Sequence, residues 1–204
     1  MQYRRTAFAA ALLLGGLAAP ASAQLHITPT VGSYLPGDDP LHLREGREDQ
    51  RLIRGRTLSL GLNLEAGVFR GTVAYATQAE ILNEGIETQG PIGEGRLLAI
   101  TGGVALRPIP RFAGIQPYAI GGLGVKRAGY SWNDDGFSNA LPDDKTNFAL
   151  QAGAGVDLML GGLGFTAEIY DMITPGSDNN RHDTFIMAGL RLRLGNAPDS
   201  DNNN

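Results

Sequence analysis

The chain has 204 residues, enough for one domain with a sizeable core, and it contains no cysteine. The missing thiols exclude a disulfide framework, a thiolate metal site, a cysteine nucleophile and a lipidated N-terminal cysteine. Seventeen Lys and Arg residues against 21 Asp and Glu give a net charge of −4. A mildly acidic chain without a basic cluster is not expected to bind nucleic acid.

Residues 1–23 have the pattern of a secretory signal peptide. Arg4 and Arg5 form a positive start, an apolar run covers 7–19, and Ala-Ser-Ala at 21–23 provides a cleavage site. The run is shorter than the roughly 20 apolar residues of a membrane-spanning helix. We therefore expect an exported chain that begins at residue 24 after cleavage, and a retained N-terminal anchor helix is the alternative.

Alternation of apolar and polar residues is the dominant signal in the rest of the chain. The clearest copies cover 57–68, 147–159 and 184–194. A helix would spread these apolar residues around its whole circumference, so the alternation predicts strands. Weaker copies complete a set of eight strands at 25–35, 71–79, 97–106, 115–125 and 164–173.

The connections between these strands alternate in length. Three are short, at 67–70, 107–114 and 160–163. Four are long and polar, at 36–56, 80–96, 126–146 and 174–183. Outer-membrane barrels have this pattern of long outer loops and tight periplasmic turns. The sequence therefore predicts an all-β fold, an eight-stranded antiparallel up-and-down transmembrane β-barrel over 24–194. The remaining residues, 195–204, are rich in Asn and Asp and are expected to form a disordered polar tail.

Alternation alone does not tell a membrane barrel from a soluble, periplasmic, lipocalin-like ligand binder, because both have eight strands. Here most charged residues fall in the connections, and the polar faces are mainly Gly, Ala, Ser, Thr and Asn. Small, uncharged side chains suit the narrow interior of an eight-stranded barrel. We therefore expect the apolar faces to contact the lipid of a bacterial outer membrane, with the soluble barrel as the alternative.

A few charged residues nevertheless fall on the predicted interior faces. Because an unpaired buried charge is costly, we expect these residues to pair in an interior salt-bridge network. Such a network either stabilises the barrel or gates a narrow conduit. Its candidate members are Glu65, Asp157, Glu168, Arg191 and Arg193.

Aromatic and charged residues near the strand ends mark the two membrane interfaces. Aromatic girdles are expected at both interfaces, and turn-adjacent packing is the alternative for any one residue. Asp171 falls on the lipid side and is expected near the outer rim. We expect Tyr34 and Phe148 at outer strand ends, and Phe69, Phe112 and Phe165 near the periplasmic turns.

Three segments carry a family resemblance: QPYAIGGLGV at 116–125, FALQAGAGVD at 148–157 and FIMAGLRLRL at 185–194. Together they resemble the small outer-membrane β-barrel superfamily of OmpA-like, OmpX-like and OmpW-like proteins. The resemblance implies an eight-stranded barrel in contact with outer-membrane lipid and lipopolysaccharide. It also implies the outer-membrane assembly machinery as a partner.

No catalytic, cofactor or metal site is predicted. His182 and Thr184 are faintly similar to the surface His and Ser of lipid A deacylases, but the sequence shows no adjacent Ser and no orienting acid. The acidic pairs at 134–135 and 143–144 lack the spacing of a calcium-binding loop. We therefore expect that the chain is not an enzyme and carries no cofactor.

Three functions remain open. The first is a structural or surface-interaction role through the long outer connections, and the second is a narrow conduit for small or apolar solutes, as the OmpW-like resemblance implies. The third is an enzyme that modifies lipid A in the outer leaflet. The first is favoured, because side chains fill the interior of an eight-stranded barrel and prevent bulk diffusion.

Overall fold

The computed structural model describes residues 24–37, 52–83, 93–132, 145–160, 163–176 and 181–194. The predicted signal peptide at 1–23 and tail at 195–204 lie outside these residues. No helix in the described ranges is long and apolar enough to cross a membrane. The strands of the described residues are β1 (Leu25–Pro36), β2 (Leu52–Arg54), β3 (Thr57–Ala66), β4 (Phe69–Asn83), β5 (Gly93–Leu106), β6 (Ile115–Trp132), β7 (Lys145–Leu160), β8 (Leu163–Ile173) and β9 (Asp183–Leu194).

Eight of these strands form a closed barrel in which all neighbours are antiparallel. The order around the barrel is β1, β3, β4, β5, β6, β7, β8, β9 and back to β1. Leu25 of β1 lies opposite both Ala66 of β3 and Leu194 of β9, so the first and last strands complete the ring. Closure pairs both edges of every barrel strand, as the hydrocarbon region of a membrane requires. The predicted fold class is confirmed.

Several strands extend further than the alternation predicted. The predicted connection 80–96 contains the end of β4 and the start of β5, and 126–146 contains the end of β6 and the start of β7. Asp183, predicted in a connection, belongs to β9. The predicted connection 36–56 contains β2, which pairs with β4. The outward residues of these outer segments, such as Arg127 and Ser131 of β6, are polar or small. The alternation therefore fades there, although the hydrogen-bonded ladder continues.

The two faces of each strand differ sharply in character. On β3, Leu58 is 53% exposed on the outside, whereas the neighbouring Ser59 is fully buried inside. The same contrast holds on β5 between the outward Ile100 and the inward Thr101. A soluble barrel would turn its apolar faces inward, so the lipocalin-like alternative is wrong. The outward apolar band is the surface that a bilayer accepts, so the barrel has the exterior of a membrane-spanning protein.

Most of the predicted interface residues face outward. Phe148 lies in the outer half of β7, and Asp171 occupies an outward position near the outer end of β8. Tyr34 lies near the outer end of β1 as expected, but its assignment to the aromatic girdle is wrong, because its side chain points into the lumen and is only 1% exposed. Tyr34 shares the parity of Thr28 and Thr30, which the alternation of β1 places inside. The exposed phenylalanines near the turns are Phe69, Phe112 and Phe165.

Two tight turns set the register at the periplasmic end. Gly67 has φ 62° at the first central position of the β3–β4 turn, as a type II′ turn requires. Ala113 and Gly114 have φ 48° and 82°, the pair of positive values expected of a type I′ turn. The first turn places Glu65 directly opposite Arg70, and both side chains are buried in the lumen.

We predict that Leu62→Arg lowers the free energy of unfolding by about 2–4 kcal/mol, because Leu62 faces outward at the middle of β3 and a charge there meets hydrocarbon. The measurement is denaturant unfolding of the barrel in lipid vesicles. Val68→Arg is the matched control, since Val68 is exposed in the turn, where the same charge costs about 0–1 kcal/mol. Equal losses for both variants would contradict the assignment of the lipid-facing band.

Candidate functional site

The periplasmic half of the lumen holds a cluster of charged side chains, here called the periplasmic network. Its members come from five barrel strands and one turn, and it contains three acidic and three basic residues. All except Arg107 are buried. The members are Glu65, Arg70, Arg107, Asp157, Glu168 and Arg191.

One ion pair of this network crosses the lumen from wall to wall. Arg70 of β4 donates to Glu168 of β8 over 2.6 Å, and these strands lie on opposite sides of the eight-stranded ring. Asn63 of β3 donates to the other Glu168 oxygen at 3.1 Å. The bridge therefore occupies the barrel axis at this level.

The second centre of the network is Glu65, which accepts from three arginines. Arg107 and Arg191 donate to one carboxylate oxygen at 2.7 Å each, and Arg70 donates to the other at 3.2 Å. Asp157 forms ion pairs with Arg107 at 3.2 Å and with Arg191 at 3.1 Å. Charged hydrogen bonds of this kind are the strong ones in proteins, and here Glu65 and Asp157 each share their charge with more than one cation.

Tyr118 of β6 also contacts members of the periplasmic network. Its hydroxyl donates to Glu168 over 2.8 Å, and the guanidinium groups of Arg70 and Arg107 lie 5.8 and 5.2 Å from its ring centroid. The ring lies over Gly155 of β7, where an added Cβ would come within 2.4 Å of the Tyr118 ring. Glycine at position 155 therefore makes the room that this tyrosine needs.

Arg107 is the partly exposed member of the network, with 23% of its side chain accessible. It follows β5 in the periplasmic turn, and its side chain points back toward Glu65 and Asp157 in the lumen. Partial burial opposes its charge, but the Glu65 and Asp157 carboxylates outweigh this effect and raise its pKa above the usual range. Arg107 thus stays charged and bridges Glu65 and Asp157 at the periplasmic end.

Four of the five sequence-predicted network residues meet in this cluster, and Arg193 does not. Arg193 lies on the interior face of β9, but it forms no ion pair with a described residue, and its Nε is buried without a hydrogen-bond partner. Sequence reasoning missed Arg70 and Arg107 because both were assigned to turns. The tight turn at Gly67 was a usable signal for Arg70, since it forces the register that faces Glu65 with Arg70.

A second charged group, here called the outer cluster, lies at the opposite end of the lumen. Asp183 of β9 accepts from the Tyr34 hydroxyl at 2.5 Å and from Arg54 at 3.1 Å, and it also accepts from Lys126. Lys126 donates further to the backbone carbonyl of Met172 at 3.1 Å. The sequence placed Lys126 at the start of a loop, but it lies inside β6 and points into the barrel.

Arg54 reaches the lumen because β2 continues the line of β3 after a break at Gly55 and Arg56. Ser59 pairs with Ala76 and Arg54 pairs with Ile81, so the inward face changes from odd to even numbers across the break. Alternation along β3 would have placed Arg54 outside. No sequence signal identified this change of face.

An aromatic layer separates the two charged groups. The rings of Tyr170 and Phe185 stack with centroids 5.2 Å apart, and Tyr34 lies 5.1 Å from Phe185. Met172 and Met187 are buried beside them. A Thr101–Gln151 hydrogen bond of 2.7 Å also spans the lumen from β5 to β7. Side chains thus fill the lumen at several successive levels.

At the outer rim, the structure supplies a partner for His182 that the sequence did not reveal. The Nδ1 atom of His182 contacts the Asp171 carboxylate, and Asp171 lies opposite Thr184 in the β8–β9 ladder. Within the described part of the chain, no hydrogen bond joins His182 to Thr184. The same part contains no group of three or more His, Cys, Asp or Glu residues suited to a metal ion.

The closed ring, the outward apolar band and the polar lumen define the fold of a small, eight-stranded outer-membrane β-barrel, and the predicted resemblance is confirmed at the level of the fold. The neisserial surface protein NspA has a solved structure with a TM-score of 0.53 and 12% sequence identity, covering 83% of this chain and 97% of that chain. The outer membrane protein AlkL, solved in DMPC bilayers, has a TM-score of 0.50 and 15% identity, covering 90% and 96%. No protein-family model and no curated protein matches the sequence.

We predict that Glu65→Gln destabilises the barrel by roughly 3–5 kcal/mol, because it leaves three arginines around a neutral side chain. Unfolding in urea, followed by the mobility difference between boiled and unboiled protein on gels, measures this loss. Arg193→Gln is the control, since it removes an interior charge outside the network, and its expected effect is below about 1 kcal/mol. A small effect of Glu65→Gln would contradict the buried pairing of Glu65 with the three arginines.

Proposed function

We propose that this chain is a non-enzymatic outer-membrane barrel with a structural or surface-interaction role through its long outer connections. The observation that carries the proposal is the Arg70–Glu168 bridge across the lumen, above which an aromatic layer fills the same channel. A lumen filled at successive levels has no continuous path for solutes. The outer connections are then the part of the protein available to contact other molecules. We place these contacts in 36–56, 80–96, 126–146 and 174–183.

Among the described residues, a cavity at the outer end is small. It is about 10 Å³ in volume, and Tyr34, Arg54, Arg96 and Tyr130 are among the residues that line it. This volume holds about one water molecule. Transport of a small or apolar solute would therefore require rearrangement of both charged groups and of the aromatic layer.

Planar-bilayer recording tests the closed lumen directly. We predict that the purified full chain gives no sustained single-channel current, because the periplasmic network and the aromatic layer each block the path. The matched variant Arg107→Ala removes the partly exposed member of the network and is also expected to stay closed, since the aromatic layer remains. Steady conductance of the unmodified chain would favour the conduit hypothesis and overturn the proposal.

For the surface contact, we propose lipopolysaccharide as the first partner to test. The connection 36–56 contains Arg44, Arg47 and Arg51 in its sequence, interleaved with Glu45, Glu48 and Asp49, and cationic side chains near an anionic lipid surface each contribute about 1 kcal/mol. Phosphate groups of lipopolysaccharide would receive these charges.

We predict that changing Arg44, Arg47 and Arg51 together to Gln weakens binding to lipopolysaccharide-containing vesicles more than tenfold, because about 3 kcal/mol of attraction is lost. Vesicle flotation of the barrel in nanodiscs measures the change. Arg111→Gln is the control, since Arg111 is exposed in a periplasmic turn. Unchanged binding of the triple variant would exclude this connection as the contact. Gel mobility checks separately that the variant folds.

The Asp171–His182 contact is the one observation that favours a second candidate, hydrolysis of lipid A in the outer leaflet. A carboxylate that orients a histidine is one component of a nucleophilic site. Thr184 would have to act as the nucleophile. Mass spectrometry of lipid A from expressing cells distinguishes this candidate from the proposed function.

A further inference from the structure

Two arginines face outward directly beyond the outer edge of the apolar band. Arg96 of β5 and Arg127 of β6 are exposed, and alternation gives them the same outward direction as Leu98 and Val125, the last apolar outward residues of these two strands. Arg127 lies opposite Leu98 in the β5–β6 ladder, which makes Arg96 its diagonal neighbour. Long side chains at diagonal positions of adjacent strands can reach each other. The two guanidinium groups can therefore bind one ligand together.

The surroundings of this arginine pair suit a phosphate group. Thr146 of β7 is exposed and lies opposite Arg127, so its hydroxyl provides a further hydrogen-bond donor. A guanidinium has five N–H donors, so each arginine can bind a phosphate beside any other contact. The acidic neighbours Glu80 and Glu94 lie opposite each other further out on β4 and β5. The charge that adjoins the apolar band on β5 and β6 is therefore positive.

A shallow depression lies in the apolar band below the arginine pair. Gly71, Gly102 and Gly121 occupy outward positions on the adjacent strands β4, β5 and β6, and an added Cβ at any of them would meet no atom within 4 Å. Gly102 is six residues from Arg96, which is about 20 Å along β5. A lipid whose headgroup contacts the arginines can therefore lay an acyl chain against this part of the wall.

We propose that Arg96 and Arg127 bind a phosphate group of lipid A, the phosphorylated lipid of the outer leaflet, while its acyl chains lie along β5 and β6. This inference rests on the proposed contact with lipopolysaccharide and adds a second position to it, on the barrel wall. A phosphate monoester carries close to two negative charges near neutral pH, which matches two arginines, whereas the phosphodiester of a phospholipid carries one. Near the outer end of β8 the outward residue is Asp171, whose carboxylate repels phosphate, which favours the β5–β7 side over that one.

The test is a titration of the full folded chain in detergent micelles with lipid A, followed by native mass spectrometry of the bound lipid. We expect saturable binding that is at least about tenfold weaker in the double variant Arg96→Gln with Arg127→Gln. The matched control is Arg56→Gln with Arg111→Gln, which removes two exposed arginines elsewhere and is expected to leave the affinity unchanged. Gel mobility reports whether each variant folds. Equal lipid A affinities of the two folded double variants would overturn the proposal.

Two further probes identify the ligand and the wall contact. Phosphatidylglycerol, a phosphodiester, is expected to bind the unmodified chain at least about tenfold more weakly than lipid A. Equal binding of the two lipids would overturn lipid A as the ligand, even if the arginine variants do not fold. Gly102→Leu fills the depression with an outward side chain and is expected to weaken lipid A binding with both arginines in place. Unchanged binding of this variant would overturn the acyl-chain contact.

The same titration separates this inference from the proposed surface contact through the connection 36–56. The comparison uses the triple variant of Arg44, Arg47 and Arg51 to Gln. Loss of lipid A binding in the triple variant, with unchanged binding in the double variant of Arg96 and Arg127, would overturn the wall site and leave the proposed surface contact intact. Loss in the double variant alone would support the wall site and contradict the contact through the connection.

Discussion

The narrowness of an eight-stranded ring is the constraint on which the rest of this structure depends. Closure satisfies the backbone in the membrane, but it leaves an interior only wide enough for side chains. Every polar group that points inward must therefore find its partner across or along the lumen. The 2.6 Å contact between Arg70 and Glu168 satisfies this requirement with one bridge between opposite walls, and the remaining members of the periplasmic network arrange around it.

The order of the side-chain layers along the barrel axis follows from the same constraint. Charged side chains occupy the two ends, where Arg107 and the outer connections approach water, and the Tyr170–Phe185 stack fills the outer half between them. Buried ion pairs stabilise little relative to apolar packing, yet the loss of one partner is costly. The periplasmic network is therefore better understood as a feature that fixes which walls face each other than as a large source of stability. The outer cluster differs, because among the described residues two cations, Arg54 and Lys126, pair with the single carboxylate of Asp183.

Much of this arrangement could be predicted from individual residues. The alternation of β3 identified Leu62 as outward and Glu65 as inward, because side chains of a strand point to opposite faces in turn. The same rule applied to β1 would have placed Tyr34 inside. Arg54 was beyond such reasoning, because the break between β2 and β3 reverses the inward face. Lys126 was missed for a different reason: the outward residues that follow it, such as Arg127 and Ser131, are not apolar, so the strand signal ended before the strand did.

By itself, the sequence determined the closed eight-stranded barrel, its apolar outer band and the inward position of the acidic residues, because these follow from local alternation and turn length. Only the tertiary structure decided the partners. Glu168 meets Arg70, and Asp183 meets Arg54 and Lys126, across strands that are far apart in the chain. Such contacts depend on barrel closure and on the stagger between strands, which set the height of each side chain along the axis. Local patterns specify the direction of a side chain, but not the residue that it meets on the far wall.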